Sequence, residues 1–122
     1  MQLMDVVTAY LYGSLDSEIY MKVPDGISIP NSEANHNMFC VKLQKSLYGL
    51  EQSGRMWYNW LSKFLTHKGY INNDECPCVY IKKSQKGFCI VSVYVDDTNI
   101  IGNQHDINKA RHHLKADFEM KD

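Results

Sequence analysis

The chain of 122 residues has no apolar run approaching the ~18 residues that suggest a membrane span. Its opening residues lack the cationic start and cleavage site of a signal peptide. No N-x-S/T acceptor occurs, in keeping with an intracellular location, cytoplasmic or nuclear. Neither sign of charge is in excess, since 13 basic and 14 acidic residues leave a formal charge of −1. Composition therefore offers no bulk attraction to nucleic acid, although a local basic track is not excluded. Repeats, low-complexity tracts and linkers are also missing, and the length suits one domain.

Cysteine is present but badly spaced for a metal. Cys76 and Cys78 flank Pro77, whereas paired zinc thiolates want two or more residues between them. His112 and His113 are neighbours on an expected helix and point about 100° apart. Cys76 and Cys78, with Cys40 and Cys89, are expected to be buried, reduced thiols.

What is present is a hydrophobic share of 44%, enough for a core. LMDVV, from Leu3, reads as a short strand running into TAYLYGSL. EIYMKV (Glu18–Val23) alternates and stops at the turn signal Pro24-Asp25-Gly26. Ile27 to Asn37 reads as a loop, and MFCVKL (Met38–Leu43) as a strand. From Gln52 to Tyr70 the apolar residues Met56, Trp57, Trp60, Leu61, Phe64 and Leu65 recur at helical spacing before Gly69, as an aromatic-rich core face does. Val79–Lys83 and Phe88–Val95 read as strands of a hairpin, Thr98–Ile101 as another strand, and Gln104 to Phe118 as a last helix with Ile107, Ala110, Arg111 and Leu114 on one side. Phe88–Val95 is nearly unbroken apolar, which predicts a central strand covered on both faces. The order predicts an α+β fold, an antiparallel sheet covered on one face by helices.

Within this apolar material stand two adjacent acids, in VSVYVDDTNIIG (Val91–Gly102). Burying an unpaired carboxylate costs several kcal/mol or more, so Asp96 and Asp97 fit best together at the tip of a tight hairpin. A turn that merely solubilises the hairpin would suffice. A third acid, Asp5, also sits in an apolar strand, and if these strands lie side by side the carboxylates converge. Clustered carboxylates repel unless a cation joins them. Hard oxygen ligands suit Mg²⁺, and two such ions ~3.5–4 Å apart serve in-line phosphoryl displacement. An EF-hand beginning at Asp97 fails, because Ile101 and Asn108 stand where ligands are obligatory.

YVDD (Tyr94–Asp97) between two β-branched runs resembles the active-site hairpin of reverse transcriptases. MDVVTAYLYGSLDSEIYMKVPDG (Met4–Gly26), KLQKSLYGLEQSGRMWY (Lys42–Tyr58) and FEMKD (Phe118–Asp122) resemble further motifs of copia-type retrotransposon polymerases, in that family's order and across the whole chain. The resemblance implies that residues 1–122 are a partial reverse transcriptase domain, a polymerase palm without fingers and thumb. It implies Asp5, Asp96 and Asp97 as catalytic, metal-binding residues for two Mg²⁺ or Mn²⁺ ions. Val6, Tyr10, Tyr48 and Gly49 would bind nucleotide, Tyr10 beneath the deoxyribose and Gly49 through close backbone approach. Tyr10 reads equally as an ordinary core tyrosine. Implied partners are an RNA or DNA template with a DNA primer, deoxynucleoside triphosphates, and the fingers, thumb and ribonuclease H of a Pol polyprotein, in the cell or in retrotransposon particles. Arg55 and Lys45 could meet backbone phosphate. Glu51 departs from the family, which usually has a basic residue there, and Gly54 stands where proline is frequent. Without fingers and thumb the chain is expected to hold primer and template poorly and to be weak or inactive alone.

Two other readings compete. An RRM-type RNA-binding module is suggested by KGFCIVSVY (Lys86–Tyr94), but Ile90 and Val93 replace stacking aromatics worth ~1–3 kcal/mol per base. A decayed, functionless element fragment would instead expose surfaces made for absent domains.

Overall fold

Strand β1 (Gln2–Val6) leads into a short 3-10 helix (Ala9–Tyr12) and then β2 (Tyr20–Lys22) and β3 (Cys40–Lys42). Helix α1 (Ser53–His67), β4 (Ile71–Asn72), β5 (Val79–Ser84), β6 (Gly87–Tyr94), β7 (Asp97–Gly102), helix α2 (Gln104–Asp117) and β8 (Met120–Lys121) follow. This computed structural model describes residues 1–28 and 39–122. The loop expected over Ile27–Asn37 lies outside the described residues from position 29 onward, as does Met38 of the expected third strand.

The six-stranded sheet has the order β4-β5-β6-β7-β1-β8, and every pairing in it is antiparallel. A separate ribbon joins β2 to β3. The fold is α+β, an antiparallel sheet with two helices. No helix among the described residues is long and apolar enough to cross a membrane.

Helix α1 buries Met56, Trp57, Leu61, Phe64 and Leu65 because they recur every three or four residues and form one stripe. Gly69, at φ +86°, lets the chain leave the helix in the left-handed conformation. Helix α2 buries Ile107, Ala110 and Leu114. Its N-terminus is closed by Asn103, whose side chain accepts from the Asp106 amide at 2.9 Å, satisfying one of the free donors there. The Asp106 carboxylate accepts in turn from Ser84 at 2.7 Å and from Asn103 Nδ2 at 2.8 Å. These bonds tie the helix to the β5–β6 hairpin. Arg111, expected on the core side, is half-buried and ion-paired with Asp122.

Both helices pack on one sheet face, against Met4, Val6, Tyr80, Cys89, Val91 and Ile100. Phe118, just past α2, joins them: its ring lies 4.9–5.5 Å from those of Tyr12, Trp57, Trp60 and Phe64. Gly13 permits close approach to α1, since a Cβ there would sit 3.0 Å from Met56 Cβ and from the Trp57 amide.

The other face of the sheet is open, which corrects the expectation that β6 is covered on both sides. Ile71, Ile81, Ile90 and Ile101 are successive cross-strand partners and form a row across that face, with Ile71 74% exposed and Phe88 51% exposed. The run FCIVSVYV is continuous because the open face is itself apolar, so the period-two signal of a half-covered strand is erased. The cysteines also differ from expectation. Cys89 is buried, but Cys40, Cys76 and Cys78 are exposed free thiols, because Cys40 lies on the isolated ribbon and the other two in the β4–β5 connection.

Candidate active site

Antiparallel pairing of β1 with β7 sets Asp5 directly opposite Asp97, and the β6–β7 hairpin is closed by Tyr94 opposite Asp97. Only Val95 and Asp96 are left to form the loop. Contrary to expectation, the two acids are therefore not both at the tip. Asp97 is the first residue of β7 and shares the open face with Asp5, while Asp96 alone turns the corner. The difference follows from register, since a two-residue loop consumes one acid and the next must begin the returning strand.

Val95 has φ 53°. A positive φ at the first loop residue but not the second is the pattern of a type II′ hairpin, where glycine is preferred. A β-branched residue held there costs on the order of 1–3 kcal/mol. Three bonds from distant segments grip this tip. The Val6 amide donates to the Asp96 carbonyl at 2.9 Å, the Trp57 indole donates to the Val95 carbonyl at 2.8 Å, and the Tyr48 hydroxyl donates to Asp96 Oδ2 at 3.2 Å.

Tyr48 is carried by a loop that is itself pinned. The Ser46 amide donates to the Gly13 carbonyl at 3.1 Å, and the Ser53 hydroxyl to the Leu47 carbonyl at 2.5 Å. Gly49 turns the chain at φ +95°, and an added Cβ would meet nothing within 4 Å. Its backbone angle, not crowding, demands glycine here. The Tyr48 ring stacks on Tyr10, with centroids 4.5 Å apart and planes at 26°. Tyr10 is half-buried, packs against the core and, with Gly54, Trp57, Val93 and Val95, lines a cavity of about 180 Å³. Val6 has its side chain in the core, 1% exposed.

Burial holds the Asp96 carboxyl above the usual carboxylate range, with the charges of Asp5 and Asp97 adding to the rise and the Tyr48 hydrogen bond opposing it. Burial, followed by the negative charge of Asp96 and the bond to it, likewise pushes the Tyr48 hydroxyl up. Among the described residues, Oδ1 of Asp96 is buried without a hydrogen-bond partner, an unfavourable state for a carboxylate oxygen unless something else fills the position.

Among the described residues, no three His, Cys, Asp or Glu side chains gather as a ready metal cluster. The donor set nevertheless fits a hard divalent cation. It offers acidic oxygens, one of them unpaired, beside an open face where water and phosphate oxygens could complete the shell. Arg55 is engaged by Asp16 at 3.0 Å, both exposed. Lys45 and Glu51 are exposed.

The structure thus draws Asp5, Asp96, Asp97, Tyr48 and Tyr10 into one corner. Sequence reasoning missed two of its neighbours. Trp57 was read as core only, and nothing in a helical stripe says where an indole N–H points. Lys121 lies opposite Asp5 across the β1–β8 pairing, and a two-residue strand leaves no periodic signal. The stacking platform of an RRM-type module is absent from β6. Phe88 is on the open face, but Val93 packs toward the core.

Comparison with known proteins agrees with the motif reading. The family model described as reverse transcriptase (RNA-dependent DNA polymerase) matches residues 1–122. The chain is 41% identical over 121 residues, 98% of its length, to the retrovirus-related Pol polyprotein from transposon TNT 1-94 of Nicotiana tabacum. It is 33% identical over 120 residues to the Pol polyprotein from transposon RE1 of Arabidopsis thaliana and, over the same number, to the transposon Ty1-DR4 Gag-Pol polyprotein of Saccharomyces cerevisiae. It covers 98% and 97% of its own length in these two matches. The chain spans 9%, 8% and 7% of the length of these three relatives. No solved structure matches. The resemblance read from four motifs is borne out, and the chain belongs to the reverse transcriptase family, among the copia-type retrotransposon Pol polyproteins.

Proposed function

We propose that residues 1–122 are the palm part of an RNA-directed DNA polymerase and that Asp5, Asp96 and Asp97 hold its two Mg²⁺ or Mn²⁺ ions. The observation that carries this reading is the β1–β7 register, which sets Asp5 against Asp97 beside an Asp96 oxygen that is buried and, among the described residues, unpaired. Bound there, two divalent ions would supply activation of the primer 3′-hydroxyl and neutralisation of the triphosphate and its pyrophosphate leaving group.

The chain's own residues do the rest. Asp5 and Asp97 present carboxylates from adjacent strands, so their separation is set by the sheet and not by flexible loops. Asp96 adds an oxygen from the hairpin tip. Tyr10 and Tyr48 occupy the edge of the corner with stacked rings, so a sugar and base entering beside Asp96 must part or slide against them. Gly49 lets the backbone turn next to that edge, and Val6 anchors the tip through its amide. The template, RNA or DNA, and the DNA primer would lie across the open face. The fingers, thumb and ribonuclease H of a longer polyprotein would cover its isoleucine row, and residues 1–122 without them would be weak or inactive.

Single-nucleotide primer extension on an RNA template with Mg²⁺ or Mn²⁺ tests this, with the Asp96→Asn, Asp97→Asn variant purified identically. Extension lost in the variant supports the reading. Equal extension in both would assign the activity to a contaminant. No extension from a folded protein that still binds Mn²⁺ through these acids would assign the chemistry to the assembled polymerase. A protein that neither extends nor binds metal would be a decayed fragment.

A further inference from the structure

The hairpin tip poses a problem that the acids alone do not solve. Val95 is held at φ 53°, a conformation a valine leaves readily if nothing restrains it. The carbonyl on its C-terminal side belongs to the peptide that leads into Asp96, so rotation of that peptide re-aims the carboxylate. Among the described residues one side chain reaches this carbonyl: Trp57, whose indole Nε1 donates at 2.8 Å. The ring cannot turn away. It is 2% exposed, meets Phe118 edge-on at 5.5 Å and 82°, and lies 6.1 Å from Tyr12. A buried N–H fixed this way loses its partner if the peptide rotates, and an unsatisfied buried donor is costly.

We infer that Trp57 is a positioning residue: its indole N–H, aimed by the aromatic cluster, locks the strained Val95–Asp96 turn and so fixes the direction of the Asp96 carboxylate. The core of α1 and the hairpin tip are coupled through one hydrogen bond, which goes beyond the packing role that a helical stripe implies. Its consequence for metal binding rests on the polymerase reading above, whereas its consequence for the turn does not.

The test is hydrogen exchange by NMR on metal-free protein, comparing wild type, Trp57→Phe, Trp57→Phe/Val95→Gly and Leu65→Val. Leu65 is a core residue of α1 with no bond to the tip, so its variant measures general loosening. In Trp57→Phe the Asp97 amide, in the pair with Tyr94 that closes the hairpin, is expected to exchange about tenfold faster than in Leu65→Val, the scale of one lost hydrogen bond. Adding Val95→Gly should recover most of that change, because glycine holds φ > 0 without restraint. Equal exchange at the tip in Trp57→Phe and Leu65→Val, or no recovery with glycine, overturns the inference. Should Trp57→Phe fail to fold, wild type decides. The Trp57 indole proton should resonate downfield of the Trp60 one with a smaller temperature dependence, and matching behaviour overturns the inference. A separate Mn²⁺ titration should show affinity about fivefold weaker in Trp57→Phe than in Leu65→Val. If wild type binds no Mn²⁺ the polymerase reading fails, while the exchange comparison still judges Trp57.

Discussion

The hydroxyl of Tyr48 donates to Oδ2 of Asp96 at 3.2 Å, while Oδ1 of the same carboxylate is buried and has no partner among the described residues. One oxygen is thus occupied by a side chain and the other is left for something else. A cation that takes both must displace the tyrosine.

Tyr48→Phe removes that competitor and keeps the ring that stacks on Tyr10. At pH 8 the variant is expected to bind Mn²⁺ about fivefold more tightly, the roughly 1 kcal/mol of a hydrogen bond to a charged group at a half-exposed site. Isothermal titration against wild type measures it. Weaker binding would mean that the hydroxyl assists the ion instead of competing with it.

Asp96 has its folded pKa raised by burial, and the charges of Asp5 and Asp97 add to this. Between the ordinary carboxylate value and the raised one, the folded state keeps a proton that the unfolded state has released. Stability therefore falls as pH rises through that window and stays lower above it. Metal-free Asp96→Asn is expected to melt a few degrees above wild type at pH 8, with the gap closing below about pH 4. Saturating Mn²⁺ should reverse the ranking by stabilising wild type alone. Thermal melts across pH, with and without metal, check both signs.

Phe118 joins α2 to the aromatic stripe of α1. Phe118→Ala should cost about 3–5 kcal/mol in urea denaturation. A loss below ~1 kcal/mol would mean that the two helices do not share one cooperative core.

The longer elements were legible because their signals are long. The stripe of α1 repeats over nearly three turns, from Met56 to Leu65, and the turn residues Pro24, Asp25 and Gly26 mark the end of the alternating segment. Strands β4 and β8, two residues each, are too short for any period, and they exist because neighbouring strands offer free edges. The open face of β6 was hidden by its own isoleucine and phenylalanine, which look like core in sequence. At the site, the three acids were legible as charges out of place in apolar strands. Their division between tip and strand was not, because it depends on Val95 adopting a backbone angle that its side chain disfavours. Local preference fails there, as it does where tertiary bonds override it. The indole of Trp57 was invisible for a simpler reason: periodicity assigns a residue to a face, not a hydrogen bond to its edge.

The most direct test of the account is a Mn²⁺ titration followed by electron paramagnetic resonance, comparing wild type with the Asp5→Asn, Asp96→Asn, Asp97→Asn variant after both are shown to fold. The account predicts saturable Mn²⁺ binding by wild type and its loss in the variant. Equal binding by the two proteins, or none by a folded wild type, would contradict the claim that this corner of the sheet is built to hold metal.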